Sequence, residues 1–247
     1  MPESFLLVRW LNDLFMGIEA RAFQSIGIHP AEAAQQAVKV NQAFGLELLV
    51  VAGLIAFFII VRLTLAVEKP NPAQQIAEII YEQIGGLADQ IIGHGYQRFQ
   101  AYVTCIFLFV AINNLLGVIP GLSAPTMSPW VPLGLALPTF FYYNYQGIWA
   151  QGPTGYLKQI AGPIWWMAWL IFPIELVSHL ARIMSLTIRL YANMFAGDMV
   201  TLGFFSLVPV GIPVIFLGFH IFVSLLQAFV FMLLSMIYLS LAVSHEH

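Results

Sequence analysis

The sequence predicts an all-α integral membrane protein: about five membrane helices, two amphipathic interfacial helices, and a last pair of helices forming a long tilted hairpin. Three observations predict it. Of the 247 residues, 60% are hydrophobic and only 9% are charged, whereas a soluble domain is about a quarter charged. Mean hydropathy is +0.84. Apolar runs of about 20 residues recur, the length a hydrocarbon core requires. The net charge of −3 is small, so nucleic acid is not an expected partner; membrane lipid is. The single cysteine, Cys105, lies within TCIFLFVAI. A disulfide within the chain is therefore impossible, Cys-rich metal motifs are absent, and the thiol is expected to pack as a small buried hydrophobe. No cofactor and no metal are called for. The first apolar run is broken by Arg9, Asn12 and Asp13 with no small-residue cleavage site after it, so no cleavable signal peptide is expected.

The chain reads as one membrane domain, 1–247. Residues 4–23 place Leu7, Leu11, Leu14, Phe15, Ile18 and Ala22 on one face and Arg9, Asn12, Asp13 and Glu19 on the other. That is an amphipathic helix lying in the interface plane, with Trp10 suited to that depth. Residues 29–42 are polar and belong outside the membrane. The first span is 46–67, with Arg62 near its end, where it can snorkel. Glu68-Lys69-Pro70 breaks it. Asn71 and Pro72 then form an N-cap and first-turn pair. They open a second amphipathic surface helix, 72–93, in which Gly85-Gly86 is expected to bend the axis. The second span, 99–119, contains Asn113-Asn114. These amides either bond to another helix or line a polar path. The third span, 133–149, carries Tyr142, Tyr143, Tyr145 and Trp149, read as an interfacial aromatic belt. A polar loop follows at 151–162.

The last two runs are overlong. Residues 163–203 would measure roughly 60 Å if wholly helical, and Pro173 is expected to break the run. Pro209, Gly211 and Pro213 make a turn. Residues 214–243 form the final helix. Two overlong apolar helices joined by a tight turn imply a tilted hairpin. Lys and Arg set the orientation. The segments holding Arg62 to Arg98, Lys158 and the C-terminal tail face the cytoplasm, while Arg9, Arg21 and Lys39 in the N-terminal segment run against that rule.

Within the first arm of this hairpin, PIELVSHLARIMSLTIRLYANMFAGD carries most of the chemistry. At roughly 100° per residue, Glu175, Ser178, His179, Arg182, Ser185, Arg189 and Asn193 share one arc of the helix. Asp198 falls roughly opposite Arg189. A charge at the bilayer centre costs at least about 2.5–3.5 kcal/mol, so several on one face mark an ion or proton path; a structural ion-pair network is the alternative. The second arm carries His220, Ser224, Gln227 and Tyr238 within about 60° of one another. Antiparallel helices of equal rise keep a constant sum of paired residue numbers. Arg189 with Gln227 gives 416 and Asp198 with His220 gives 418, so both pairs are expected at compatible depths. Their azimuths conflict, and Arg189 is expected to face a different protein. The role of His179 stays open between a relay and a structural histidine.

The runs SLTIRLYANMFAGDMV and HIFVSLLQAFVFMLLSMIYLSLA resemble subunit a of the rotary F-type ATP synthase. NNLLGVIP and PIELVSHLAR add scattered support. The combined pattern R-L-x-x-N-M-x-A-G-[DE] with H-x(6)-Q-A-F is highly specific. The resemblance carries over Arg189, Asn193, Asp198, His220 and Gln227, with Glu175 and Ser185 upstream. It departs at Asp198, where glutamate is common, at Arg182, where lysine or a small residue is common, and at His179, where an apolar residue is common. The resemblance implies a non-catalytic proton-translocating stator subunit in an energy-transducing membrane, most simply a bacterial inner membrane. Its partners would be the c-ring, whose carboxyls it serves through two offset half-channels, and b-type peripheral stalk subunits. Asp198, His220, Asn193 and Gln227 would form the outer half-channel. Glu175, Ser178, His179 and Arg182 would line the inner one, and Arg189 would prevent a short circuit. Two other readings differ in class. A haem-binding subunit needs His179 and His220 at one depth, and their sum of 399 places them apart. A stand-alone ion antiporter usually shows internal repeats, and none is visible.

Overall fold

A computed structural model describes residues 42–66, 70–93, 95–119, 124–161, 168–207 and 211–243. The described residues form six α-helices and no strand: α1 Gln42–Leu63, α2 Pro72–Ile92, α3 Gln97–Leu116, α4 Trp130–Ala161, α5 Ala168–Leu207 and α6 Ile212–Val243, with a 3-10 turn at Pro125–Met127. The expected interfacial helix 4–23, nearly all of the polar segment 29–42, Glu68-Lys69, residues 163–167 and Pro209 lie outside the described residues. Helices α1, α3, α5 and α6 are long and apolar enough to cross a membrane. The chain is thus multi-pass, with four such helices among the described residues. Helix α4, which holds the expected third span, is not one of them, because Thr139, Asn144, Gln146 and Gln151 dilute its apolar sequence.

The chain divides into two compact units, 1–56 and 57–247. In the first, residues 42–56 belong to α1. Leu46, Val50 and Leu54 are buried there, and their spacing of four places them in one stripe along the helix. Leu48, Leu49, Val51 and Ile55 stand exposed, as the outward surface of an all-apolar helix should.

The second unit is built on α3, α4, α5 and α6. Its main core joins Ile106, Val110 and Ala111 of α3, Ala136 of α4, Leu186, Leu190 and Met194 of α5, and Ala228 and Phe231 of α6. Helix α2 packs on this bundle through Ile84 and Ala88, which meet Val103, Met232 and Met236. Ile76 and Ile79, at the edge of the same apolar arc, remain exposed. Asn71 occupies the N-cap with extended backbone, but its side chain makes no cap hydrogen bond. Gly85 does not break α2. A Cβ there would collide with the Gln100 amide, which crosses to donate to the Tyr81 carbonyl at 2.7 Å. The glycine therefore leaves room for the Gln100 side chain to cross α2.

Three further expectations change. Helix α4 runs beyond the expected 133–149 span and takes in most of the expected 151–162 loop. It is interrupted at Gly152, whose φ of 75° and ψ of 161° are not helical. A left-handed φ suits glycine because no Cβ opposes it. The break folds the chain back: Tyr156 Oη donates to Asn144 Oδ1 at 2.5 Å, although twelve residues of straight helix span about 18 Å. Helix α5 continues through Pro173 rather than ending at it. Cys105 is exposed, not buried. The buried stripe of α3 includes Gln100, Thr104, Asn113 and Asn114. In lipid, the polar side chains take the inward positions, and a small apolar residue such as Cys105 is left facing out.

Candidate functional site

The α5–α6 hairpin sets the register on which the polar residues meet. The Arg182 guanidinium lies 5.4 Å from the Tyr238 ring centroid. Asn193 Nδ2 donates to Gln227 Oε1 at 2.7 Å. Phe204 stacks on Phe216 with centroids 4.2 Å apart. In each pair the residue numbers add to 420, so the two arms run antiparallel in one register along most of their length. The expected register of 416 to 418 was close, but the four-residue difference at Gln227 is one helical turn on α5. Gln227 therefore pairs with Asn193 and not with Arg189. Its side chain is 1% exposed, and its Nε2 has no protein partner among the described residues.

Toward the hairpin turn stand Asp198 and His220. His220 is 3% exposed and close enough to Asp198 for the two to act on each other's charge. Its ring lies directly on the α5 backbone, since a Cβ on Gly197 would come within 3.2 Å of it. The His220 Nε2 is a buried polar atom without a protein partner among the described residues. Ser224, one turn further along α6, is fully buried, with its Oγ 3.7 Å from Met194 Sδ.

In the middle of α5, half-buried Arg189 reaches back one turn to Ser185, with Nη2 and Oγ 3.3 Å apart. The ion pairs among the described residues are His179–Glu175 and Arg182–Glu175. Arg189 thus has no carboxylate partner there.

The third group lies toward the N-terminal end of α5. Glu175 Oε1 is 3.7 Å from His179 Nε2 and 3.4 Å from Arg182 Nη2. His179 Nδ1 is hydrogen-bonded to Tyr143 Oη of α4 at 2.9 Å. Ser178 is half-buried beside this group in sequence. Tyr143 is only 2% exposed, so it is not part of an interfacial belt; Tyr145 and Trp149 are exposed and keep that character. Sequence reasoning missed Tyr143 as a site residue. The signal was present, because Thr139, Tyr143 and Gln146 recur at spacings of four and three, a polar stripe on α4 that the structure buries.

Asn114 bridges helices, donating to the Ser224 carbonyl at 3.2 Å and accepting from Thr126 Oγ1 at 2.8 Å. Asn113 donates within its own helix to the Phe109 carbonyl, and its Oδ1 has no protein partner among the described residues. Asn114 thus makes the interhelical bond expected of these amides, and Asn113 bonds within its own helix.

A family model described as ATP synthase A chain matches residues 46–240. ATP synthase subunit a of Koribacter versatilis (strain Ellin345) is 46% identical over 247 residues, the whole of both chains. The same-named protein of Solibacter usitatus (strain Ellin6076) is 48% identical over 202 residues, 82% of this chain and 87% of its own. That of Bdellovibrio bacteriovorus is 42% identical over 173 residues, 70% of this chain and 75% of its own. With the family model covering more than half of the chain and these identities extending across it, the chain belongs to the ATP synthase subunit a family.

Proposed function

We propose that this chain is the proton-translocating stator subunit of a rotary ATP synthase and that Arg189 separates two offset half-channels serving the carboxyls of a rotating c-ring. The subunit is not an enzyme by itself. The observation that carries the reading is the state of Arg189. A guanidinium stays protonated even when poorly hydrated. This one sits midway along an apolar helix and meets only the Ser185 hydroxyl among the described residues. No described residue supplies a counter-charge, and a carboxyl passing on a neighbouring ring provides one. Beside that carboxyl the fixed cation favours the ionised form. The proton is thereby discharged and cannot pass directly between channels.

Two polar groups flank Arg189 along the hairpin. Asp198, His220, Asn193 and Gln227 make the outer half-channel. The unpartnered donors of Gln227 and the buried His220 nitrogen support it, because buried polar groups are normally satisfied by protein or water, and water is what a proton path holds. Glu175, Ser178, His179 and Arg182 make the inner half-channel, at the end of the hairpin that the Lys and Arg distribution assigns to the cytoplasm. The remaining partners are b-type stalk subunits, and the membrane is the bacterial inner membrane.

The test is proton-driven ATP synthesis in vesicles holding the whole complex, with subunit content measured to confirm assembly. Arg189→Ala should abolish synthesis in an assembled complex. Arg189→Lys should nearly abolish it, because a desolvated ammonium loses its proton more readily. Near wild-type synthesis by assembled Arg189→Ala, with loss in Arg182→Ala, would assign the separating role to the wrong arginine.

A further inference from the structure

We propose that His179 and Tyr143 form a positioning pair behind Glu175 that sets the pH response of the inner half-channel. The inference rests on the half-channel reading above and adds to it a residue from α4 that no motif of the chain marks.

The geometry is a chain of four side chains. Tyr143 Oη meets His179 Nδ1 at 2.9 Å, His179 Nε2 faces Glu175 Oε1 at 3.7 Å, and the same oxygen faces Arg182 at 3.4 Å. Tyr143 and His179 are buried, at 2% and 9% exposure, while the Glu175 side chain keeps 33%. The carboxylate is therefore the member open to channel water. The two buried rings are locked behind it, nearly parallel at 14° with centroids 5.9 Å apart. Engaging Nδ1 with the tyrosine fixes the ring so that Nε2 is the nitrogen presented to the carboxylate. Arg182 is a constant charge on Glu175. His179 is not, because an imidazole can be neutral or charged.

The groups around this pair come from every packed element. Helix α5 gives Glu175 and Arg182. Helix α4 gives Tyr143 and Tyr156, both within the field of Arg182. Helix α6 gives Tyr238, under the Arg182 guanidinium. Helix α3 gives the apolar Phe99 against Tyr143; Arg98 beside it is bound by Gln146 and Trp149 further along α4. His179 is thus the member of the group whose charge is not fixed, and the hydroxyl of Tyr143 orients it.

The experiment uses the whole complex in vesicles, with the pH on the two faces varied separately and proton-driven synthesis measured. His179→Gln keeps a polar side chain of similar size but does not titrate. It should change the dependence of rate on cytoplasmic-face pH and leave the dependence on the opposite face as in wild type. His179→Leu should do the same. Tyr143→Phe removes one hydroxyl and should move the cytoplasmic-face profile by about half a pH unit, the order set by one hydrogen bond. In the His179→Gln background, Tyr143→Phe should then add nothing. A cytoplasmic-face profile unchanged by His179→Gln, or a full Tyr143→Phe shift surviving in that background, overturns the proposal. If His220→Ala still alters the response to the opposite face, the half-channel reading survives that failure; if Arg189→Ala still makes ATP, the underlying reading fails instead.

Discussion

Gln227 separates function from stability more sharply than any other residue of the hairpin. Its Oε1 accepts the Asn193 amide at 2.7 Å, while its Nε2 is buried without a protein acceptor among the described residues. Gln227→Leu keeps the volume and removes both polar ends. The lost interhelical bond is worth about 0.6 kcal/mol in a membrane, at most about 1.7. The unpartnered donor that disappears with it costs about 1–3 kcal/mol when left unsatisfied. The net effect on stability should lie between neutral and a gain of about 1–2 kcal/mol. Asn193→Ala works the other way. It leaves both ends of the buried Gln227 amide unpaired and should destabilise by about 1–2 kcal/mol. Both variants should slow ATP-driven proton pumping, since both strip polar atoms from the proposed path. Thermal dissociation of the purified complex therefore ranks the variants Gln227→Leu at or above wild type and Asn193→Ala below it, while pumping falls in both. If Gln227→Leu dissociates as early as Asn193→Ala, the amide is a structural clasp and the argument from its unpartnered nitrogen is wrong.

The other expectations follow from single contacts. His220→Ala and Asp198→Asn should each slow proton-driven synthesis, and the double variant should be little worse than the stronger single one, as coupled neighbours behave; strictly additive losses would show that the two act separately. Cysteines introduced as Asn193→Cys and Gln227→Cys should cross-link readily. Arg189→Cys with Gln227→Cys should cross-link poorly, and the reverse ranking would break the register of 420. Gly85→Ala should cost about 1–3 kcal/mol by overpacking against Gln100, and Gln100→Ala should restore much of the loss; thermal dissociation reads both, and a harmless Gly85→Ala would show that α2 and α3 are not packed at that point.

The polar stripe on α5 was legible because lipid makes polar residues rare, so each one carries information. Periodicity alone placed Glu175, His179, Arg182, Ser185, Arg189 and Asn193 on one arc, and each of these makes a polar contact with another residue of the arc or with a facing helix. The constant-sum argument found the antiparallel register to within one turn. It could not choose the turn, since Arg189 and Asn193 both lie on the arc and only side-chain reach decides between them. Helix α4 was the least legible element. Its polar content reads equally as loop, belt or buried stripe, and Gly152 looks like any loop glycine until the backbone shows the fold-back that brings Tyr156 to Asn144. Cys105 failed for the opposite reason. On an all-apolar helix nothing in the sequence separates the lipid face from the packed one except the polar residues, and on α3 those mark the inside.

Two arginines seven residues apart lie within about 20° on the same helix, so sequence periodicity treats them alike. The difference between them is the counter-charge. Arg182 is paired with Glu175, two turns back on the same face, and lies over the Tyr238 ring. Its charge is neutralised inside the chain, and it acts on what surrounds Glu175. Arg189 has Ser185, a neutral hydroxyl. A cation in lipid without an internal partner destabilises the isolated subunit, and a carboxylate brought by a second protein removes that cost. In the proposed mechanism, a charge with no carboxylate partner among the described residues makes a neighbour's carboxyl the favoured ligand. Pairing Arg189 within the chain would stabilise the fold and silence the site, so the absence of a carboxylate within two turns of it on the helix, where Arg182 has Glu175, is the feature on which the proposed mechanism depends.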